Sequence, residues 1–213
     1  MSRVDTRPTS QREFAADRWI HVLGLSFGAV GAGTLVARLV VGTDTCAAVP
    51  IVIYAIGLLA MLGCSAAYHL TPWPPTRPLL RRFDHAAIFL MIAGTYTPFT
   101  TRDPASGWSI FFTSFIWLAA LFGVAVKLAF PRCLDRLTIV TYLALGWIGL
   151  VALGPLAARL DASTIDLLLA GGLLYTVGVG FHLWHRLPFQ NAIWHGFVLA
   201  AAACHYAAIV QYA

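Results

Sequence analysis

The sequence predicts an all-α polytopic membrane protein, a seven-transmembrane helix bundle with its N-terminus in the cytoplasm and its C-terminus outside. Three observations predict it. The chain is 59% hydrophobic and only 11% charged, with a mean hydropathy of +0.77, whereas an average soluble domain carries about 25% charged residues. Long apolar runs rich in Leu and Ala recur between charged or Pro-rich breaks, without the alternation of a membrane β-barrel. The basic residues collect in alternate loops.

A spanning helix needs about 20 apolar residues, so 213 residues hold seven spans only if the loops stay short. The first run, Trp19–Val41, follows a polar, Arg-rich stretch. It is too long for a signal h-region and lacks an obvious small-residue cleavage site, so it reads as a retained helix. The next runs are Ala47–Leu70, closed by the Pro-rich stretch after Thr71; Asp84–Thr101, opened after Arg81 and Arg82; and Gly107–Phe130, closed by Pro131 and Arg132. Leu137–Ala158, Thr164–Trp184 and Asn191–Tyr212 complete the set. Residues 1–18 are therefore expected as a cytoplasmic basic arm and 19–213 as a single seven-helix transmembrane domain.

Orientation follows from charge. Arg3, Arg7, Arg12 and Arg18 precede the first span; Arg77, Arg81 and Arg82 lie in the second loop; Lys127, Arg132 and Arg136 flank the fourth; Arg186 lies in the sixth. Those are eleven of the fourteen basic residues. The opposite loops hold Arg102 and Arg159, and Arg38 can snorkel outward from the first span. The positive-inside rule then places the N-terminus in the cytoplasm and the C-terminus outside, and the multi-pass chain is expected in the inner (plasma) membrane. The net charge of +5 is spread over short loops with no interleaved stacking aromatics, so membrane lipids are the expected partners and nucleic acid is not. The four cysteines form no C-x-x-C, which leaves them as packing residues. Gly24, Gly28, Gly31 and Gly33 permit close helix approach.

Against this apolar background the polar residues stand out. Ser65 and His69 end the second span, Asp84 and His85 open the third, and Asn191 and His195 open the last. With the second helix running inward and the third and seventh outward, all six fall in the cytoplasmic half. Ser65 with His69, and Asn191 with His195, are four residues apart and so share a helix face. Intramembrane polar groups persist where they meet one another or line a wet cavity. Imidazole is the commonest protein ligand for zinc, and a nearby carboxylate can orient a water or take its proton. His21, His182 and His185 share that side and read as interfacial, with His205 alone in the outer half.

Three stretches carry a resemblance. Cys64-Ser65-Ala66-Ala67-Tyr68-His69, the run from Phe83-Asp84-His85 to Gly94-Thr95-Tyr96-Thr97-Pro98-Phe99, and Ala192-Ile193-Trp194-His195 with Cys204-His205 resemble the hemolysin III family. That family sits within the progestin and adipoQ receptor-like superfamily and is more distantly related to the alkaline ceramidases. The resemblance covers nearly the whole chain. It implies a cytoplasmic-side Zn2+ held by three histidines, with Ser and Asp near its water: His69 and His195 as ligands, Ser65 and Asp84 in supporting catalytic roles, and the remaining ligand position on Asn191.

Asn191 is the departure, because an amide oxygen is a poorer zinc ligand than imidazole. Three outcomes stay open. Zinc is held by His69 and His195 with Asn191 or Asp84 completing the shell, a neighbour such as His85 is recruited, or the cluster holds no tight metal. The resemblance implies a role in membrane-lipid homeostasis, with a zinc-dependent hydrolase of lipid amides or esters as the leading mechanism. The alternatives are a receptor-like sensor and a cytolytic or channel-like pore. A pore should carry polar residues through the full membrane depth, yet the outer halves hold few ionisable groups beyond Arg38, Asp166 and His205. Homo-oligomerisation is the route by which a pore could still form.

Overall fold

A computed structural model describes residues 9–41, 45–71, 74–103, 105–130, 135–149 and 160–212. Seven helices occur among these residues: α1 (Gln11–Val41), α2 (Thr45–Leu70), α3 (Arg77–Thr100), α4 (Gly107–Ala129), α5 (Asp135–Trp147), α6 (Ala162–Leu183) and α7 (Gln190–Tyr212). The protein is an all-α polytopic membrane protein. Five of the helices, α1, α2, α4, α6 and α7, are long and apolar enough to cross a bilayer. Helix α3 is of spanning length at 24 residues, but Arg77, Arg81, Arg82 and Asp84 occupy its first turns. The expected fifth span, Leu137–Ala158, runs from α5 into residues outside those described. Arg3, Arg7, Arg132, Cys133 and Arg159 also lie outside them, as does the side chain of Cys46.

Local contacts set the starts of α1, α6 and α7. Helix α1 begins eight residues before the expected boundary at Trp19, because Ser10 and Glu13 form a capping box. The Ser10 N–H donates to Glu13 Oε2 at 2.7 Å and the Glu13 N–H to Ser10 Oγ at 3.3 Å. Residues 11–18 are therefore helical. Helix α6 is capped by Asp161, whose side chain accepts from the Thr164 N–H at 3.3 Å. This exposed carboxyl is held below the usual carboxylate range by hydrogen bonds from Thr164 and Ser163. Helix α7 follows Phe189, which sits in the left-handed region at φ 59°. That conformation costs a non-glycine residue about 1–2 kcal/mol. The Phe189 N–H donates to Glu13 Oε1 at 2.8 Å, so the capping box of α1 also holds the α6–α7 turn.

Consecutive helices pack as α1 on α2, α2 on α3, α3 on α4, and α6 on α7, and α1 closes against α7. Lighter contacts join α5 to α3 and α6. The α2–α3 approach is made by glycines: a Cβ on Gly57 would lie 3.3 Å from the Leu90 carbonyl oxygen, and one on Gly94 would lie 3.5 Å from the Tyr54 Cα. Small residues allow this closeness where the hydrophobic effect gives no drive between helices. Polar side chains bridge other pairs: Trp117 Nε1 to Thr97 Oγ1 at 3.1 Å, Tyr142 OH to the His85 carbonyl at 2.6 Å, and Trp147 Nε1 to Thr176 Oγ1 at 2.9 Å. Large apolar side chains such as Phe27, Ile56, Phe111, Leu118 and Phe122 point outward. Lipid is the solvent that accepts them.

Candidate metal site

The first turns of α1, the last turns of α2 and the first turns of α3 and α7 lie at one end of the bundle, and the buried ionisable groups collect there. Glu13, Asp17 and His21 stand four residues apart along α1 and so share one face. Asp17, His21 and His195 are 6–7% exposed, and His69 is half-buried. Burial of that many polar groups requires mutual satisfaction.

Asp17 is the hub. Its Oδ1 lies 2.6 Å from His195 Nδ1, and its Oδ2 lies 3.7 Å from His69 Nδ1. Its backbone carbonyl accepts from His21 Nδ1 at 2.8 Å. A carboxylate and a carbonyl only accept, so the protons of His195 and His21 sit on Nδ1 and each Nε2 presents a lone pair. A carboxylate behind an imidazole is the arrangement that orients histidine ligands at metal centres. The three rings meet closely: His69 and His195 centroids are 4.3 Å apart, His21 and His195 4.4 Å, and His21 and His69 5.3 Å.

Asp17, His69 and His195 each offer a donor atom within 4.8 Å of the others'. Two imidazoles and a carboxylate suit a borderline-soft divalent ion such as zinc, and less well magnesium or calcium, which take all-oxygen shells. The residues present therefore fit a zinc ion.

The expected residues are distributed as follows. His69 and His195 are brought together across 126 positions of sequence by α2 and α7. Ser65 lies one turn before His69, its Oγ 3.4 Å from His21 Nε2, and it hydrogen-bonds the Asp84 carboxylate. Asn191 lines an adjoining cavity, and the donor grouped with His69 and His195 is Asp17. His205 stands apart, its Nε2 3.3 Å from the Leu168 carbonyl. His182 packs its ring on Trp194 at 5.0 Å with Nδ1 buried, so it is turned into the protein and away from headgroups. His21, read from sequence as interfacial, is inside the cluster. Asp17 went unremarked because the charged residues around it placed the expected membrane boundary at residue 18. The four-residue recurrence of Glu13, Asp17 and His21 is the signal that could have found it.

Comparison with known proteins bears on this constellation. Residues 12–206 match the model of the family described as Haemolysin-III related. The chain belongs to the haemolysin III family. It is 38% identical to Hemolysin-3 of Bacillus cereus over 169 residues, covering 78% of this chain and 76% of the relative. It is 34% identical to the Hemolysin-3 homolog of Bacillus subtilis (strain 168) over 160 residues, 75% of each. Monocyte to macrophage differentiation factor of Homo sapiens is 29% identical over 168 residues, 75% of this chain and 68% of the relative. The family match spans Asp17, His21, Ser65, His69, Asp84, Asn191 and His195 together.

Proposed function

We propose that this haemolysin III family protein is a metal-dependent hydrolase of membrane-lipid amides or esters, acting in lipid homeostasis from the cytoplasmic side of the inner (plasma) membrane. On this reading the chain crosses the membrane seven times, N-terminus inside. The observation that carries it is the buried Asp17–His69–His195 group beside Ser65 and Asp84. A zinc ion at that group would supply Lewis acidity toward a carbonyl oxygen and bring the pKa of a water toward about 7.

The chain's own residues supply the rest. His69 and His195 would hold the ion, and Asp17 would either join them or fix the His195 ring through Nδ1. Asn191 is the alternative donor from α7. Asp84, whose carboxylate Ser65 hydrogen-bonds, is assigned as the base that receives a proton from water, and Ser65 as the hydroxyl that aims that carboxylate. His21 buttresses the cluster by presenting Nε2 to Ser65.

Metal analysis of purified protein tests this reading. Near-stoichiometric zinc is expected in the wild type and its loss in His69→Ala and His195→Ala; a wild type without metal after growth in zinc-replete medium overturns the proposal. Fatty-acid release from a panel of ceramides and phospholipids should fall about 10²–10⁴-fold in Asp84→Asn. The names of the Bacillus relatives support a second, cytolytic reading. Conductance of reconstituted protein that survives both histidine substitutions would favour it.

A further inference from the structure

A cavity of about 410 Å³ adjoins the cluster, walled by the start of α1, the end of α2, the start of α3 and the α6–α7 turn. Its lining runs from buried Asp17 and half-buried His69 to exposed Arg77 and His185. The burial gradient gives the cavity an inner, reactive end and an outer, wetter end. Its volume falls in the range, about 300–1,000 Å³, that takes a drug-sized molecule. It therefore has room for a lipid head and the bond next to it, while two acyl chains would have to remain outside among the apolar helix faces.

The charges on its wall are unequally committed. Both carboxylates are occupied: Glu13 accepts from the backbone N–H groups of Phe189 and Ser10, and Asp17 accepts from His195. Arg77 has no carboxylate partner among the described residues. Its guanidinium lies over the Tyr68 ring, 5.5 Å from the centroid, an attraction that steadies the group and leaves its N–H fork unspent. Asn191, also in the wall, makes no side-chain hydrogen bond among the described residues and offers a second free donor. A ligand entering from the outer end thus meets a positive fork and an amide before it reaches Asp17 and His69.

We propose that this cavity recognises an amphiphile with an anionic head, a phosphate or carboxylate, anchored by Arg77. Guanidinium pairs bidentately with either group, so the fork sets the orientation as well as the sign of the charge. Asn191 then has a use of its own: the residue that departs from the family's third histidine lines the ligand path. That the amphiphile is a substrate rests on the hydrolase reading; that it binds does not. Neutral lipids such as ceramides would leave Arg77 unmatched and bind less well.

The test is binding of dihexanoyl phosphatidate to the full chain in a nonionic detergent, followed by tryptophan fluorescence and by calorimetry. Dihexanoylglycerol, hexanoyl ceramide and inorganic phosphate are run beside it. Phosphatidate is expected to bind about tenfold tighter than either neutral lipid, as one bidentate charge pair at a half-open site would give. Arg77→Gln should erase that preference, Arg77→Lys should keep part of it, and high salt should weaken it. Equal binding of neutral and anionic lipids, or an Arg77→Gln protein that still prefers phosphatidate, overturns the proposal. Inorganic phosphate binding as tightly as phosphatidate overturns the amphiphile and leaves a free-anion site. Zinc content is measured on the same samples, and Arg77→Gln should retain it. A zinc-free wild type whose phosphatidate preference depends on Arg77 would sink the hydrolase reading and keep this one, whereas a zinc-loaded protein indifferent to Arg77→Gln would do the reverse.

Discussion

Asp17→Asn is the sharpest perturbation of the cluster, because it keeps the shape of the side chain and removes the charge. In the wild type, Asp17 Oδ1 accepts from His195 Nδ1 at 2.6 Å in a buried setting, and hydrogen bonds to charged groups contribute about 1.5–3 kcal/mol. Carboxylates that orient a metal-ligating histidine typically change metal affinity about 10–100-fold when replaced, which corresponds to about 1.4–2.7 kcal/mol. The two estimates agree, so a fall in zinc affinity of one to two decades is expected. Competition against a chromophoric chelator on detergent-purified protein measures it. Complete loss of binding would show that Asp17 itself ligates the ion. An affinity within twofold of the wild type would refute the assignment of Asp17 as hub. A double-mutant cycle with His195→Ala, read as the unfolding stability of the metal-free protein, should give a coupling of about 0.5–3 kcal/mol, the range for residues in direct contact.

Three further outcomes follow from the fold. Glu13→Ala removes the carboxylate that joins the α1 capping box to the α6–α7 turn, and it should lower stability by about 1.5–3 kcal/mol, with faster proteolysis near Phe189; an unchanged melting temperature would contradict the latch. Gly123→Ala would place a Cβ 2.5 Å from the buried Phe89 ring, so overpacking should lower stability by about 1–3 kcal/mol, read as a lower Tm in detergent. Asp161→Ala should lower Tm at neutral pH. The Thr164 and Ser163 hydrogen bonds depress the folded-state pKa of Asp161, so its contribution is present above the unfolded value of about 3.9 and lost as pH falls through the folded one. The gap in Tm between wild type and Asp161→Ala should therefore close in acid, and a gap that persists there would refute the cap.

Much of the architecture was legible because the bilayer makes the constraint local. A run of about 20 apolar residues must be a helix when no water is present to satisfy the backbone, and five of the expected spans appear as helices both long and apolar enough to cross a bilayer. The i, i+4 spacing of Ser65 and His69 placed both on one face of α2, and the two histidines expected to pair, His69 and His195, do meet. The seven-span count was less accessible, because α3 opens on three arginines that dilute its hydropathy.

The sequence by itself determined the solvent, the helices and the family, since each depends on composition or on residues close in the chain. It also contained the start of α1, in the three-residue spacing of Ser10 and Glu13, and the shared face of Glu13, Asp17 and His21. Only the tertiary structure decided which faces meet. Asp17 and His195 are 178 residues apart, and nothing in the local pattern says that α1 and α7 close against each other. That closure puts Asp17 beside His69 and His195 and leaves Asn191 in the cavity wall. The physical reason is that spacing fixes where a side chain points around its own helix, while the partner it finds is set by the packing of the whole bundle.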